Sequence, residues 1–229
     1  MKTKQGKFIV IEGTDGSGKA TQLKLLVDRL QKEKVKVATA DFPQYDNFSG
    51  AFVAKYLRGE YGTAEEVGPY RGSIFYAVDR YDKSFDIKKW LGEGKTVVSN
   101  RYVSANMGHQ TGKIKGRANQ DKFLAWLDNL EYKIFNIPRP DVTVFLYMPP
   151  AVGQKLVDSK GARAYTKGKK RDIHEADLNH LKKASEAYLY VAKKYHWITI
   201  GCAKGSEPLS REEIHEKIVE ALRKKKIIK

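Results

Sequence analysis

Short apolar runs alternate with longer amphipathic segments along this chain. The runs are KFIVIEG from Lys7, VKVATA from Val35, TVVSN from Thr96, DVTVFLYM from Asp141 and WITIG from Trp197. Their length and their β-branched residues predict five buried strands. Buried strands separated by helices are typical of a parallel sheet covered on both faces. We therefore predict an α/β three-layer sandwich with a five-stranded parallel sheet and helices on both faces.

The segments between the runs carry apolar residues at helical spacing. After Lys19, the residues Leu23, Leu26, Val27 and Leu30 form the stripe of a helix that faces a core. Similar patterns predict helices at about residues 49–57, 68–84, 87–92, 119–135, 172–195 and 210–224. Neither an internal repeat nor a Pro- and Gly-rich linker divides the chain. We therefore expect a single domain over residues 1–229.

The composition is ordinary for a globular protein, with 41% hydrophobic and 31% charged residues among 229. No run approaches the roughly 18 apolar residues of a membrane span, and the first apolar stretch is too short for a signal peptide. A single cysteine, Cys202, excludes an internal disulfide and a cysteine metal cluster. We expect a cytoplasmic protein without a membrane partner.

The charge adds one element to this picture. Lys and Arg number 43 against 27 Asp and Glu, a net charge of +16, which predicts an anionic partner. Nucleic acid, phosphorylated metabolites and acidic membrane surfaces all qualify, and the charge does not choose among them. The segment DSKGARAYTKGKKRD, residues 158–172, is basic and lacks an apolar period. It is either a solvated loop or a mobile cationic lid.

The residues GTDGSGKATQ, from Gly13 to Gln22, nearly match the phosphate-binding pattern G-x-x-x-x-G-K-[ST]. They follow a predicted strand and open a predicted helix, which is the context that the pattern requires. Glycines let backbone N–H groups converge on phosphate oxygens, and the lysine reaches the β- and γ-phosphates. We predict that ATP is bound by Gly13, Thr14, Asp15, Gly16, Ser17, Gly18, Lys19, Ala20 and Thr21. The predicted fold is therefore of the P-loop NTPase type.

Ala20 stands where the pattern has Ser or Thr, whose hydroxyl binds Mg²⁺. Thr21 lies about 100° further around a helix and cannot simply replace that hydroxyl. Since Mg²⁺ keeps several waters and binds largely through phosphates, a water can take the missing position. Two interpretations stay open: weaker metal placement with turnover retained, or nucleotide binding with poor turnover. We assign no residue as a direct metal ligand.

Further polar side chains are expected near the loop, because ligands of an open α/β sheet lie beyond the carboxyl ends of its strands. Tyr76 and Arg80 are four residues apart, on one face of a predicted helix, and Arg101, Asn106 and Gln110 follow the third strand. Guanidinium groups suit a phosphate, and an aromatic ring with a carboxamide suits a base. The pattern predicts a second site for a nucleoside monophosphate.

With these motifs in place, the sequence resembles the thymidylate kinases over nearly its whole length. The motifs that carry the resemblance are EGTDGSGKATQ, DFPQYDNFSGAFVAKYLRGEYG, YAVDRYD and NRYVSANMGHQ, in the order of the family. The basic segment before DIHEADL lies where the family has its lid. The resemblance implies transfer of the γ-phosphate of ATP to dTMP with Mg²⁺ as cofactor, a homodimer, and no specific nucleic-acid partner.

The resemblance also implies roles for individual residues. Asp15 contacts the sugar 3′-hydroxyl and helps arrange the donor phosphates, Tyr76 stacks on thymine, and Arg101 grips the acceptor phosphate. Arg80 and Gln110 address the base. The substrate-binding set is Asp15, Phe42, Tyr76, Arg80, Arg101, Asn106 and Gln110, and the catalytic set is Lys19, Asp15, Arg101, Arg163 and Arg171.

One catalytic charge is left open among the lid cations. The loop offers only Gly16 and Ser17 where one branch of the family has an arginine, so the lid must supply it. The candidates are Arg163, Lys167, Lys169, Lys170 and Arg171, of which the two arginines are favoured because guanidinium forks fit phosphate.

Three departures from the family pattern keep two alternatives open. Ala20 replaces the hydroxyl residue, Asn100 replaces an aspartate that helps to order magnesium, and Ser104-Ala105 exchanges a small-then-Ser pair. The first alternative is a kinase of another nucleoside monophosphate. The second is a P-loop nucleotide-binding module with weak or no catalysis.

Overall fold

The central strand of the sheet is buried along its whole length. This computed structural model describes residues 5–14, 16–158 and 178–229. In it, β1 (Phe8–Gly13) carries the apolar run FIVI and pairs in parallel with β3 (Thr96–Asn100) and β4 (Val142–Tyr147). An apolar strand without a polar face is stable only between two layers of helices, and β1 occupies that position.

Two edge strands complete the sheet. β2 (Val37–Asp41) pairs with β3, and β5 (Ile198–Gly201) pairs with β4, both in parallel. Within the described residues the order is β2-β3-β1-β4-β5, and a separate antiparallel pair joins β6 (Ala203–Lys204) to β7 (Glu207–Pro208). The five predicted strands are confirmed. The carboxyl ends of β1, β2 and β3 adjoin, and the candidate site lies there.

The helices form two layers. They are α1 (Lys19–Lys32), α2 (Ala51–Leu57), α3 (Ala64–Gly92), α4 (Val103–His109), α5 (Arg117–Asp128), α6 (Pro150–Asp158), α7 (Leu178–Lys194) and α8 (Arg211–Lys224). Side chains of β1 alternate between the two cores that these layers close. Phe8 and Val10 pack with α3, α4, α5 and α7, whereas Ile9 and Ile11 pack with α1, α6 and α8. The predicted three-layer arrangement is confirmed.

Several helix boundaries differ from the predicted ones. The segments 68–84 and 87–92 belong to one helix, α3, whose interruption lies earlier, at Gly68 with φ 73° before Pro69. The predicted helix 119–135 ends as α5 at Asp128 and continues as a π-helical turn, Asn129–Ile134. The short helices α4 and α6 were not predicted, because seven to nine residues carry too little periodicity.

The long helix α3 buries polar residues and exposes apolar ones. Its inner face includes Asp79, Arg80 and Ser84, all at most 1% exposed. Its outer face carries Tyr70, Ile74, Val78, Tyr81 and Phe85, each 39–58% exposed. We call these five residues the α3 stripe. Within the described residues, no helix is both long and apolar enough to cross a bilayer.

Candidate active site

The loop after β1 has the backbone of a phosphate cradle. Gly16 and Gly18 have φ angles of 79° and 83°, which side chains with a Cβ rarely adopt. A Cβ on Gly16 would lie 2.3 Å from the carbonyl oxygen of Gly153 in α6, so this position also requires the absence of a side chain. α1 begins at Lys19, directly after the second of these glycines. The positive end of the helix therefore points at the loop.

Two side chains of the loop, Lys19 and Thr14, donate hydrogen bonds to main-chain carbonyl oxygens. Lys19 Nζ donates to the carbonyl oxygens of Gly13 and Thr14, both at 3.0 Å. The Thr14 hydroxyl donates to Met148 O at 3.3 Å, which joins the loop to the end of β4. Ser17 is buried. Gly13, Thr14, Ser17 and Lys19 belong to the set predicted to bind ATP. The partly buried Thr21 and the exposed Ala20 belong to the same set.

A buried carboxylate connects the loop to the neighbouring strand. Glu12 is fully buried, and its Oε1 accepts from Gly13 N at 3.0 Å, from Arg101 Nη1 at 3.3 Å and from Tyr188 Oη at 3.1 Å. Its Oε2 accepts from Ser104 Oγ at 2.7 Å. A buried carboxylate is tolerated only when hydrogen bonds replace its hydration, and four are present here. Ser104 is thus directed at Glu12.

Arg101 is fixed in an uncommon backbone conformation. Its φ is 61°, which is rare for a residue other than glycine and typical of functional positions. Nη1 also contacts His109 Nε2 at 3.1 Å, and since a guanidinium can only donate, the imidazole nitrogen accepts. The side chain is 17% exposed. Arg101 therefore presents a positioned positive charge beside the loop.

A pocket beside the start of α1 carries oxygen atoms. It has a volume of about 510 Å³, and Ala20, Asp41, Asp46 and Asn100 are among its lining residues. Asn100 Nδ2 donates to Asp41 Oδ1 at 2.8 Å. Desolvation raises the pKa of Asp41 above its ordinary value, against the lowering effect of that hydrogen bond. Within the described residues, the buried Oδ1 of Asn100 has no hydrogen-bond partner.

Two residues predicted to bind the base, Tyr76 and Gln110, lie near Tyr56 and Gly72 respectively. Tyr76, on α3, meets the ring of Tyr56 edge-on with centroids 6.2 Å apart. Lys113 Nζ donates to Tyr56 Oη at 2.8 Å, and burial lowers the pKa of Lys113 to about 7. A Cβ on Gly72, one turn before Tyr76, would lie 3.3 Å from Tyr56 Oη and 3.5 Å from Gln110 Nε2.

Gln110 leaves one acceptor unused at this end of the site. The residue is buried, and its Oε1 has no hydrogen-bond partner in the described part of the chain. An unpaired buried acceptor costs stability, so such an atom is typical of a position that awaits a ligand donor. Asn106 is also buried, but its Nδ2 already donates to Ser73 O at 3.2 Å.

Two other predicted substrate residues lie in the protein interior. Phe42 is 4% exposed and packs on Tyr102 with ring centroids 5.6 Å apart, next to the cis peptide bond that joins it to Pro43. Arg80 is 1% exposed, and its Nε donates to both oxygens of Glu131, at 3.1 and 3.2 Å. Their assignment to the substrate stays a prediction.

The remaining predicted residues lie outside the described ones. They are Asp15 in the loop and the lid cations Arg163, Lys167, Lys169, Lys170 and Arg171. Their roles also stay predictions.

Some residues of the site were missed in the sequence. Glu12 immediately precedes the loop, and a carboxylate at the end of an apolar strand was the available signal. No sequence signal marked Glu131 or Lys113, because their partners, Arg80 and Tyr56, are 51 and 57 residues away along the chain.

The loop, its lysine and the anchored arginine one strand away define the class of P-loop nucleotide-binding proteins. The sequence model of one family, thymidylate kinase, matches residues 11–218, and the chain belongs to this family.

Individual relatives agree with this assignment. The thymidylate kinase of Plasmodium falciparum is 31% identical over 224 residues, which cover 98% of this chain and 93% of that protein. That of Mycobacterium tuberculosis strain H37Rv is 28% identical over 200 residues, covering 85% and 91%. The structure of a thymidylate kinase from Candida albicans has a TM-score of 0.74 at 18% identity, over 97% of this chain and 93% of that one. This likeness confirms the predicted fold class.

Proposed function

We propose that this chain transfers the γ-phosphate of ATP to dTMP, giving ADP and dTDP. The observation that carries the proposal is a shared atom: Glu12 Oε1 accepts both from the loop at Gly13 N and from Arg101 Nη1. A donor-phosphate loop and a guanidinium held by one carboxylate suit two phosphate groups that face each other. Membership of the thymidylate kinase family identifies the acceptor as dTMP.

The reaction needs no covalent group from the protein. A phosphate oxygen of dTMP attacks the γ-phosphorus, the bond to the β–γ bridging oxygen breaks, and ADP leaves with that electron pair. We assign the donor phosphates to Lys19 and the loop amides, and the acceptor phosphate to Arg101. Asp15 addresses the sugar. Arg163 or Arg171 adds charge when the lid closes and excludes water.

The base is assigned to the end of the site that Tyr76 and Gln110 form. We assign the stacking contact to Tyr76, following the family pattern. Oε1 of Gln110, which has no hydrogen-bond partner among the described residues, matches a base N–H donor such as N3–H of thymine. Phe42, Arg80 and Asn106 remain proposed substrate residues. Contact with substrate would require Phe42 to move away from Tyr102 and Arg80 to move away from Glu131.

Magnesium fits the donor chemistry of the pocket beside Ala20. Its lining offers oxygen donors, and the buried Oδ1 of Asn100 lacks a partner within the described residues. In that same part of the chain, no three His, Cys, Asp or Glu side chains gather into a metal cage. Bound with ATP, Mg²⁺ neutralises part of the phosphate charge. The protein contributes to its position, and the phosphates and waters contribute most of its ligands.

A coupled ADP-release assay with dTMP, dUMP, dCMP, dGMP and AMP tests this proposal. We expect the highest kcat/KM for dTMP and loss of turnover in Lys19→Met, which keeps the side-chain length without the charge. Preference for another acceptor would favour a different nucleoside monophosphate kinase. ATP binding without turnover of dTMP at any magnesium concentration would favour the nucleotide-binding module.

We further propose that the enzyme is a homodimer formed through the α3 stripe. Five exposed apolar side chains on one helix face, opposite a face that buries Arg80 and Asp79, are typical of a surface that a second copy covers. A twofold axis across one helix would pair the stripe with itself. We also propose one cytoplasmic domain over residues 1–229, in accord with strands from both ends of the chain joining one sheet.

A further inference from the structure

The last residues of β2 and β3 form a polar pair. Asp41 and Asn100 are register partners across the two strands. Asn100 Nδ2 donates to Asp41 Oδ1 at 2.8 Å, which fixes the orientation of the amide. Its Oδ1 is then buried and, in the described part of the chain, accepts no hydrogen bond. The pair therefore combines a carboxylate with an acceptor that awaits a donor.

The same pocket contains the position that lacks the loop hydroxyl. Ala20, Asp41 and Asn100 all line the cavity of about 510 Å³. Even six waters need only roughly 180 Å³, at about 30 Å³ each, so the cavity has room for the waters that an ATP-bound magnesium would keep. Desolvation raises the pKa of Asp41, and the positive charges of Arg101 and Lys19 act in the opposite direction.

P-loop enzymes hold magnesium with the loop hydroxyl and with an aspartate at the end of a neighbouring strand. In this chain Ala20 stands at the position of the loop hydroxyl, and Asn100 stands at the position of the carboxylate at the end of β3. Both of these usual magnesium-holding groups are therefore missing. The carboxylate is found one strand further out, at the end of β2, in contact with the residue that should have carried it.

We propose that Asp41 is the carboxylate that positions the water shell of ATP-bound magnesium, and that Asn100 serves it in two ways. Nδ2 of Asn100 holds the carboxylate, and Oδ1 accepts from a metal-bound water. This inference rests on the proposed function only for the presence of Mg²⁺ with ATP. Asp41 is thus a positioning residue, which acts through water on the phosphates.

The test measures how magnesium changes ATP binding, without the acceptor and without turnover. ATP affinity is measured by calorimetry with excess EDTA and across a magnesium series, in the wild type, Asp41→Asn and the double variant Asp41→Asn/Asn100→Asp. Asp41→Asn should raise the half-saturating Mg²⁺ concentration about 10-fold or more, the usual effect of losing an outer-shell partner. The double variant moves the carboxylate to β3 and should recover most of that loss.

Asp46→Asn is the matched control, because Asp46 lines the same cavity and the substitution removes the same formal charge. It should leave the magnesium dependence within about twofold of the wild type, an effect under about 0.5 kcal/mol. Equal magnesium dependence of Asp41→Asn and the wild type would overturn the proposal. So would an equal loss of ATP affinity with and without magnesium, since that marks a purely structural role.

Two further measurements keep the test decisive. Asn100→Ala retains Asp41 but removes both the Nδ2 donor and the Oδ1 acceptor, so it should raise the half-saturating Mg²⁺ concentration; an unchanged value would contradict the assignment even if Asp41→Asn does not fold. Binding of Mn²⁺ to the ATP complex, followed by electron paramagnetic resonance, should weaken in Asp41→Asn alone. A protein that shows these effects but no turnover of dTMP would refute the proposed function and leave this inference standing.

Discussion

Arg80 and Glu131 form an ion pair that is closed to solvent on both sides, with side chains 1% and 0% exposed. Nε and Nη2 of the guanidinium both donate to the carboxylate, and Nη1 donates to Tyr102 O at 3.4 Å. The pair joins α3 to the π-helical turn after α5. It fixes the inner face of the helix that also carries Tyr76.

The first prediction concerns the stability that this pair controls. Glu131→Gln leaves the buried Arg80 charge without its counter-charge and should destabilise the fold by about 3–5 kcal/mol. The double variant Arg80→Met/Glu131→Leu replaces both charges by apolar groups and should recover much of that loss. Urea unfolding measures both. A single variant as stable as the wild type would show that the guanidinium has another partner.

The second prediction concerns the carboxylate between the loop and Arg101. Glu12→Gln places an amide among donors and releases the guanidinium, so kcat/KM for dTMP should fall about 100-fold, the effect of a misplaced positioning group. Tyr188→Phe removes another hydrogen bond to Glu12 and leaves the charge pair intact, so its loss should be about tenfold or less. Steady-state kinetics at saturating ATP measures both. A lowered melting temperature with unchanged kinetics would contradict the role in positioning.

The third prediction concerns the missing hydroxyl of the loop. Ala20→Ser restores an oxygen where P-loops bind magnesium, and the half-saturating Mg²⁺ concentration for ATP binding should fall about fivefold, equivalent to roughly 1 kcal/mol. Ala20→Val adds bulk without oxygen and should bring no such decrease. Calorimetry in a magnesium series separates the two. If the serine has no effect, a water already fills the coordination position.

The fourth prediction is a pH dependence of stability. Burial lowers the pKa of Lys113 to about 7 from 10.5, so between these values the unfolded chain binds a proton that the folded chain does not. Stability from this group should therefore rise with pH from about 7 to about 10 and be flat below 7. Lys113→Met should remove that rise, and Lys115→Met, at an exposed position, should keep it. Urea unfolding at about pH 6, 8 and 9.5 checks the sign.

The fifth prediction tests the dimer. Val78→Glu places a charge in the middle of the α3 stripe and should give a monomer, since an unpaired charge is costly in an apolar interface. Leu189→Glu on α7 is the control, because its native side chain is 40% exposed against 39% for Val78. Analytical ultracentrifugation at micromolar concentration measures both. A monomeric wild type, or dissociation of both variants, would argue against this interface.

The sheet could be predicted from the sequence because each strand is a continuous apolar run. The helix boundaries were harder. The interruption of α3 at Gly68 depends on a positive φ that the residue type permits but does not require. Hydrophobic periodicity also predicts the wrong buried face for α3, because the charged Arg80 is buried and the apolar Val78 is exposed.

The site also has parts that could be predicted from the sequence and parts that could not. The ATP-binding residues of the loop could be assigned from the sequence because the motif lies within ten positions, and these assignments stay predictions. The neighbours of Asp41 could not be assigned, because the sequence does not give the strand order that brings Asn100 beside it. Gln110 was predicted by its residue type, but its unused acceptor is visible only from the packing around it.

The contact between Gly16 and Gly153 joins the loop to α6 through main chain alone. Because both partners are backbone atoms, no change of side-chain rotamer can alter the spacing between Gly16 and the carbonyl oxygen of Gly153. A side chain at Gly16 would therefore displace either the loop or α6, so this one residue couples the backbone geometry of the two segments.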